Sequence, residues 1–336
     1  MRILIFTPFF HPNLGGVETV TDLLASGLAV DNEVIVVTLE SSVPTERSRP
    51  YTVLRQVSWK TQIREVRRAD IVLMFSASLR FIWIPLLLGK PLVVNHYTWL
   101  PWRQRPLVCA LQRLVCLCAV NVAPSRVVAR AYGQRTLVMP NPFDDRMFRS
   151  QARARRDGDL VFLGRLVEEK GVDLLLTALS ILRADDFRPT LTLIGVGPAA
   201  QSLRELGEKF KLTDQLHWIG SKTGEDLAHE LMRHRVMVVP SRWAEPFGIV
   251  ALEGLACGCH LVVPDHGGLV EAAGTTALTF SKSEPATLAS AIKKALENSG
   301  SESGAEAESV AVSQHLESFS IKNVTRVYLN LFESLI

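Results

Sequence analysis

The chain has 336 residues, with 37 Lys plus Arg against 34 Asp plus Glu for a net charge of +3, 47% hydrophobic residues and five cysteines. That length suits two domains of ordinary size, each with its own core. An odd cysteine count without C-x2-C spacing points to a reducing cytoplasm, the apolar runs are too short to cross a bilayer, and residues 2–7 are too short for a secretion signal.

Short apolar runs at residues 3–6, 34–37, 71–74, 92–94, 120–122 and 137–139 alternate with helix-length segments. This is the pattern of parallel strands joined by helical crossovers. The polar stretch 151–159 reads as a linker, after which the scheme repeats with runs at 160–163, 191–194, 216–219, 236–239, 261–263 and 277–280. A Ser/Glu/Gly stretch over 298–309 precedes a last amphipathic segment, 321–336. The expectation is an α/β chain in which one architecture occurs twice, over 1–150 and 151–317.

Charge is unevenly placed. Residues 71–143 contain no Asp or Glu, while Arg80, Lys90, Arg103, Arg105, Arg113, Arg126, Arg130 and Arg135 supply eight cations. Such asymmetry suits an anionic partner. Tyr97, Trp99, Trp102, Arg103 and Arg105, interleaved with Leu100 and Pro101, read as an anchor at the headgroup level of an anionic membrane, reached through residues 97–135. The alternative is a solvated basic face with core tryptophans. No nucleic-acid-binding module occurs in the region.

The densest chemical signal lies at residues 240–258. The run 236–239 reads as a buried strand ended by Pro240-Ser241 at a carboxyl edge, where open α/β sheets bind ligands. Pro246, Phe247 and Gly248 then deliver the chain to a helix start at Ile249 and Val250, whose free N–H groups suit an anion such as diphosphate. Glu245 precedes that helix and Glu253 is expected about two turns inside it. Two carboxylates so placed can each grip sugar hydroxyls. Earlier in the same half, Gly164 permits close backbone approach, Arg165 can fork onto diphosphate oxygens, and Lys170 adds a mobile charge.

These residues carry a resemblance. Glu245-Pro-Phe-Gly-Ile-Val-Ala-Leu-Glu253 resembles the E-x7-E motif of retaining glycosyltransferases of family 4, the glycosyltransferase group 1 domain on the GT-B fold of two Rossmann-like domains. Gly15-Gly16 after the first strand, His96 in Asn-His-Tyr, Gly164-Arg165 with Lys170, the turn Gly195-x-Gly197-Pro198, and Gly267-Gly268 are similar to that family's other elements, in order. The likeness covers nearly the whole chain. It implies retaining transfer of a sugar from a nucleotide diphosphate sugar, UDP preferred over GDP, to a glycan or lipid-linked acceptor in cell-surface polysaccharide synthesis, with no cofactor and no metal. It also implies donor binding in the second domain, acceptor approach from the first across a central cleft, and a final helix, 318–336, packed back onto the first domain. By the same likeness Gly15, Gly16, Gly195, Gly197, Pro246, Phe247, Gly248, Ile249, Val250 and Glu253 hold the donor, and His96, Arg165, Lys170 and Glu245 serve the reaction. Glu18, Tyr97, His96 and Asp22 fall on the acceptor side. Tyr97 stands where many members carry an acid after the His, which leaves an acid–base role for His96 open.

Several decoys compete. Cys116-x-Cys118 and Cys257-x-Cys259 read as inert buried thiols. Asp157-Gly158-Asp159 has the form of a metal-holding D-x-D but precedes a strand, as solvated turn chemistry does. Gly195-x-Gly197-x-x-Ala200 has the form of a dinucleotide fingerprint, yet the next strand ends in Gly220-Ser221 without a ribose-binding carboxylate. A nicotinamide-dependent oxidoreductase and a sugar-nucleotide epimerase remain the alternatives.

Overall fold

The computed structural model describes residues 1–12, 15–41, 48–99, 106–150, 156–281, 284–299 and 305–336. They form two compact units, Met1–Phe143 with Ser318–Ile336, and Asp144–Glu317. The seam precedes the expected 150/151 for a local reason. Phe143 N–H donates to Phe319 O, tying it to the first unit. Asp144 begins a turn, its Oδ1 accepting from the Arg146 and Met147 amides, and Ser150 lies against Gly258 in the second unit.

The first unit is built on strands β1 (Arg2–Thr7), β2 (Glu33–Thr38), β3 (Thr52–Arg55), β4 (Ile71–Phe75), β5 (Leu92–Asn95), β6 (Val120–Ala123) and β7 (Leu137–Val138). They pair in parallel in the order β3-β2-β1-β4-β5-β6-β7. The near-continuous β-branched and aliphatic runs of β1, β2, β4 and β5 follow from burial on both faces. Helices α1 (Gly16–Leu28), α2 (Trp59–Arg68), α3 (Trp83–Leu87), α4 (Pro106–Cys116) and α5 (Arg126–Tyr132) make the crossovers. On one face Leu4, Phe6, Val37, Met74 and Val94 pack with Val66 of α2, Ile84 of α3 and Cys116 of α4. Asn95 alternates to the other face, where its Nδ2 donates to Tyr328 Oη, 2.8 Å away. The sequence pattern did not reveal β3, a half-exposed edge strand whose two apolar residues, Val53 and Leu54, fall below any periodic signal.

The second unit has β8 (Gly158–Leu163), β9 (Leu191–Ile194), β10 (Leu216–Gly220), β11 (His234–Val238), β12 (His260–Pro264) and β13 (Leu278–Phe280), parallel throughout in the order β10-β9-β8-β11-β12-β13. Its helices are α6 (Val172–Ala184), α7 (Ala200–Lys209), α8 (Gly224–Met232), α9 (Ile249–Ala256), α10 (Leu269–Ala273), α11 (Pro285–Asn298) and α12 (Ala305–Glu317). Leu160, Phe162, Leu193 and Val236 pack under Leu175, Leu179 and Leu182 of α6 and Leu288 and Ile292 of α11. On the opposite face α9 lies so close that a Cβ on Gly254 would sit 2.2 Å from Met237 Sδ. The polar stretch 298–309 is helical from Ala305, whose Ala-Glu-Ala-Glu run consists of strong helix formers. The remaining helix, α13 (Ile321–Glu333), belongs to the first unit; Ser320 caps it by accepting from the Asn323 amide. No helix among the described residues is long and apolar enough to cross a membrane.

Strand order reverses between β1 and β4 in the first sheet and between β8 and β11 in the second. Loops leaving the carboxyl ends of these strands diverge, and the space opened there is where α/β sheets take ligands.

Candidate functional site

In the second unit the reversal point is rimmed by the loops after β8, β9, β11 and β12, which touch backbone to backbone. Gly195 has φ 145°, and a Cβ there would lie 1.9 Å from Gly164 O. Gly171 has φ 67°, and its Cβ would meet Pro240 O at 2.0 Å. Both positions demand left-handed backbone and lack room for a side chain, so glycine is the residue that fits. Gly195 thus closes loop on loop, rather than lining a nucleotide as a dinucleotide fingerprint would. Further straps hold the rim: Arg242 and Trp243 amides donate to Glu169 O at 2.9 and 3.2 Å, Arg242 Nη2 pairs with Asp173 at 2.6 Å, and Gly268 N–H donates to Glu245 O at 2.7 Å.

Within that rim, Lys170 Nζ forms an ion pair with Glu245 Oε1, and Ser241 Oγ donates to the same oxygen at 2.7 Å. Lys170 ends a 3-10 turn, Glu168–Lys170, and Glu245 lies in the loop after β11. The sequence places them 75 residues apart and the sheet brings them together. The Lys170 stem passes Gly164, whose Cβ would lie 3.9 Å from Lys170 Cδ. Arg165, next to Gly164, is exposed and makes no ion pair among the described residues.

Helix α9 starts at Ile249 with Gly248 as its cap and no capping side chain; the Ala251 amide donates to Gly248 O at 3.0 Å, so the Ile249 and Val250 amides are the first-turn donors left for a ligand. Phe247 and Ile249 are buried, leaving backbone as what this segment offers. Glu253 is the fifth residue of an eight-residue helix. It therefore lies little more than one turn inside, not two, because the helix begins at Ile249 and not in the Pro246-Phe247-Gly248 turn. Burial pushes its carboxyl up to about 7, with the Asp144 charge adding to the shift.

Two neighbours escaped the sequence reading. Asp144 faces Glu253 electrostatically from outside any motif. His266, between β12 and Gly267-Gly268, has both ring nitrogens enclosed and without a hydrogen-bond partner, and a Cβ on Gly267 would touch the Glu245 backbone at 3.0 Å. The signal for His266 was its place after a strand run and beside two glycines.

In the first unit, Gly15 caps α1 in extended conformation, and the Glu18 carboxylate folds over it, 2.6 Å from where a Cβ would stand. Glu18 also acts on Tyr97: burial first, then the Glu18 charge, push that phenol well above its ordinary range, against a hydrogen bond with Ser76. Asp22 does not offer a free carboxylate to an acceptor. His11 and Arg49 pair with it at 3.3 and 3.2 Å, and the Tyr51 hydroxyl donates to it. Burial opposes its ionisation, but these hydrogen bonds and charges hold the carboxyl down at about 2. His96 follows β5 and is buried.

Of the headgroup-anchor residues, Tyr97 and Trp99 lie among the described residues, and both pack inward. Trp99 is half-buried against Ala123, Val128 and Ala129, and Tyr97 packs towards Phe75 with ring centroids 6.0 Å apart. Leu100, Pro101, Trp102, Arg103 and Arg105 lie outside the described residues, as does most of the linker, residues 151–155. Among the decoys, Asp157 pairs with Arg233 at 3.2 Å and Asp159 accepts from the Thr190 amide at 2.9 Å, both at the amino edge of the sheet. Cys257 and Cys259 are buried thiols pushed up to about 12 by burial, whereas Cys118 is exposed, contrary to expectation, because it follows the end of α4.

Comparison with known proteins bears on this geometry. The family model for glycosyl transferases group 1 matches residues 143–309. The matched segment is similar to a group 1 domain and includes the whole Lys170–Glu245–Glu253 arrangement. The chain is 31% identical to a Mycobacterium tuberculosis glycogen synthase over 189 residues, 55% of this chain and 45% of that protein. It is 26% identical over 184 residues to the phosphatidylinositol N-acetylglucosaminyltransferase gpi3 subunit of Schizosaccharomyces pombe, covering 54% and 40%. The chain thus spans under half the length of these relatives. Anabaena Alr3699/HepE in complex with UDP superimposes with a TM-score of 0.82 at 17% identity over 100% of both chains. The two parallel-sheet units are those of the GT-B fold.

The raised Glu253 carboxyl has a consequence for stability. An acid whose folded pKa exceeds its unfolded value weakens the fold as pH rises through the interval from about 4.5 to about 7. Glu253→Gln should therefore stabilise the protein by about 1–2 kcal/mol at pH 8 and leave it unchanged near pH 4, as read by urea unfolding at both pH values.

Proposed function

We propose that the chain is a glycosyltransferase that moves a sugar from a nucleoside diphosphate sugar to a hydroxyl acceptor with the anomeric configuration retained. The observation that carries this reading is the Lys170–Glu245 ion pair, set between the exposed Arg165 and the uncapped first turn of α9. Two cations and a row of amides form a receptor for diphosphate, and Glu245 is the carboxylate beside it. As the bond from sugar C1 to the diphosphate oxygen breaks, negative charge grows on the leaving group. Fixed cations and amides stabilise that charge more than they stabilise the intact donor.

Oε1 of Glu245 already accepts from Lys170 and Ser241, which suits a carboxylate that holds the donor in place and not an attacking nucleophile. The acceptor oxygen then bonds to C1 on the face the diphosphate leaves, and its proton passes to a diphosphate oxygen. No step in this scheme calls on a metal. Glu253, a little over one turn along α9, reaches the ribose hydroxyls. Uridine is favoured over guanosine because the structural neighbour carries UDP. The group 1 match does not favour the epimerase or nicotinamide-enzyme alternatives.

The acceptor reading is a glycan or lipid-linked substrate met at the cytoplasmic face of a membrane, in line with the phosphatidylinositol-modifying relative. Its structural support is α4, which turns Cys109 and Gln112 inward and leaves Leu107, Leu111 and Leu114 exposed, with Leu117 just beyond it 76% exposed. A leucine stripe on the outside of a helix, within a segment that has cations and no acids, is complementary to an anionic bilayer.

UDP should raise the melting temperature by several degrees at 100-fold excess over its Kd, corresponding to about 2.7 kcal/mol, and ADP should not. Arg165→Ala and Lys170→Ala should each reduce that shift by at least half. Indifference of both variants would overturn the diphosphate receptor. NMR of the product should show the donor's anomeric configuration, and an inverted linkage rules out the retaining scheme. Leu111→Gln with Leu114→Gln should cut co-sedimentation with phosphatidylglycerol vesicles several-fold; unchanged sedimentation removes α4 as the contact.

A further inference from the structure

The ring of His96 is only 2% exposed and stacks on Tyr132 of α5 with centroids 3.7 Å apart. Its backbone N–H donates to Val122 O at 2.8 Å, so both main chain and ring are fixed. Nε2 lies 2.8 Å from Asn121 Oδ1. Distance alone does not say which atom of the pair is the donor. The answer comes from the far side of the amide, where Asn121 Nδ2 donates to Cys116 O at 2.8 Å and to Ala119 O at 3.1 Å. Both amide hydrogens are committed to carbonyl oxygens, which only accept, so the atom facing His96 must be the amide oxygen. That oxygen has no proton to give. His96 therefore carries its hydrogen on Nε2 and keeps the lone pair on Nδ1.

We propose that Asn121 is a positioning residue that locks His96 as the Nε2–H tautomer, so that Nδ1 is kept as a hydrogen-bond acceptor. The geometry explains why an amide serves here and a carboxylate would not. A carboxylate against Nε2 would favour the doubly protonated ring and convert Nδ1 into a donor. The groups around the ring keep the same sense. Tyr132 and Tyr97 flank it, and the Cys109 and Cys116 thiols and Arg113 of α4 act on Tyr132. The nearest acid in this set, Glu18, acts on Tyr97. Burial moreover holds the imidazole down at about 4, against the pull of its Asn121 hydrogen bond, so the ring is neutral across the physiological range.

The test is long-range nitrogen–proton NMR of the histidine rings in the full chain, with the His96 signals assigned by their loss in His96→Gln. The wild type should show Nε2 protonated and Nδ1 bare, unchanged from pH 8 to pH 5.5. Asn121→Ala should mix the two tautomers while circular dichroism stays native. A wild-type ring protonated on Nδ1, or one that titrates above pH 5.5, overturns the assignment whether or not the variant folds.

Discussion

The second unit depends on backbone meeting backbone at the carboxyl edge of its sheet. Gly195 against Gly164 O and Gly171 against Pro240 O bring loops from β8, β9 and β11 to within distances no side chain permits. Everything of chemical interest there follows from that closeness. Lys170 reaches Glu245 because the turn carrying Lys170 is pressed against the loop carrying Glu245, and the Gly268 amide fixes the Glu245 backbone from the other side. An ion pair between flexible surface chains contributes little, since ordering both side chains offsets the Coulomb gain. Here both partners are mostly covered, at 24% and 14% side-chain exposure, and the rim has already ordered their backbones. Its value lies in holding two groups of opposite charge at the carboxyl edge of the sheet.

That pairing also resolves a problem of charge. An empty site with two free cations would repel its own parts and bind any anion. With Lys170 neutralised by Glu245, Arg165 is left as the exposed cation, and the site is close to balanced before a ligand enters. Ser241 holds the same Glu245 oxygen from the other side. Glu253 is restrained in a similar way: burial and Asp144 raise its carboxyl to about 7, so it carries only part of a negative charge at neutral pH.

Most of the strand framework was legible in the sequence, because buried parallel strands such as β1, β4 and β11 are uninterrupted apolar runs. Edge strand β3 was not, since half its surface is solvated and its residues carry no strong pattern. In the site, residues within a motif were legible: Glu245 and Glu253 belong to one and Arg165 and Lys170 to another, and the fold brings Lys170 to Glu245 at the carboxyl edge of the sheet. Asp144 and His266 were missed because proximity across a sheet leaves no trace in spacing. The placement of Glu253 failed by a turn for a related reason, as the Pro246-Phe247-Gly248 segment looks like a helix entry but is spent on turning and burying Phe247. Asp22 misled in the opposite direction, because its partners His11, Arg49 and Tyr51 come from separate segments and only the fold assembles them.

Asn121 shows how such long-range assembly decides chemistry as well as shape. From the sequence, His96 followed by Tyr97 left open whether the imidazole gains or gives a proton, since the group that settles this is 25 residues away on the next strand. The pairing of β5 with β6, Asn95 against Val122, places Asn121 beside His96, and the α4–β6 connection supplies the carbonyls of Cys116 and Ala119 that orient its amide. A chain of hydrogen bonds thus runs from one ring nitrogen, which donates, through one amide to main-chain carbonyls, which accept. Each link is neutral, so the ring's polarity is set without burying a charge, whose desolvation would cost far more than the hydrogen bonds return.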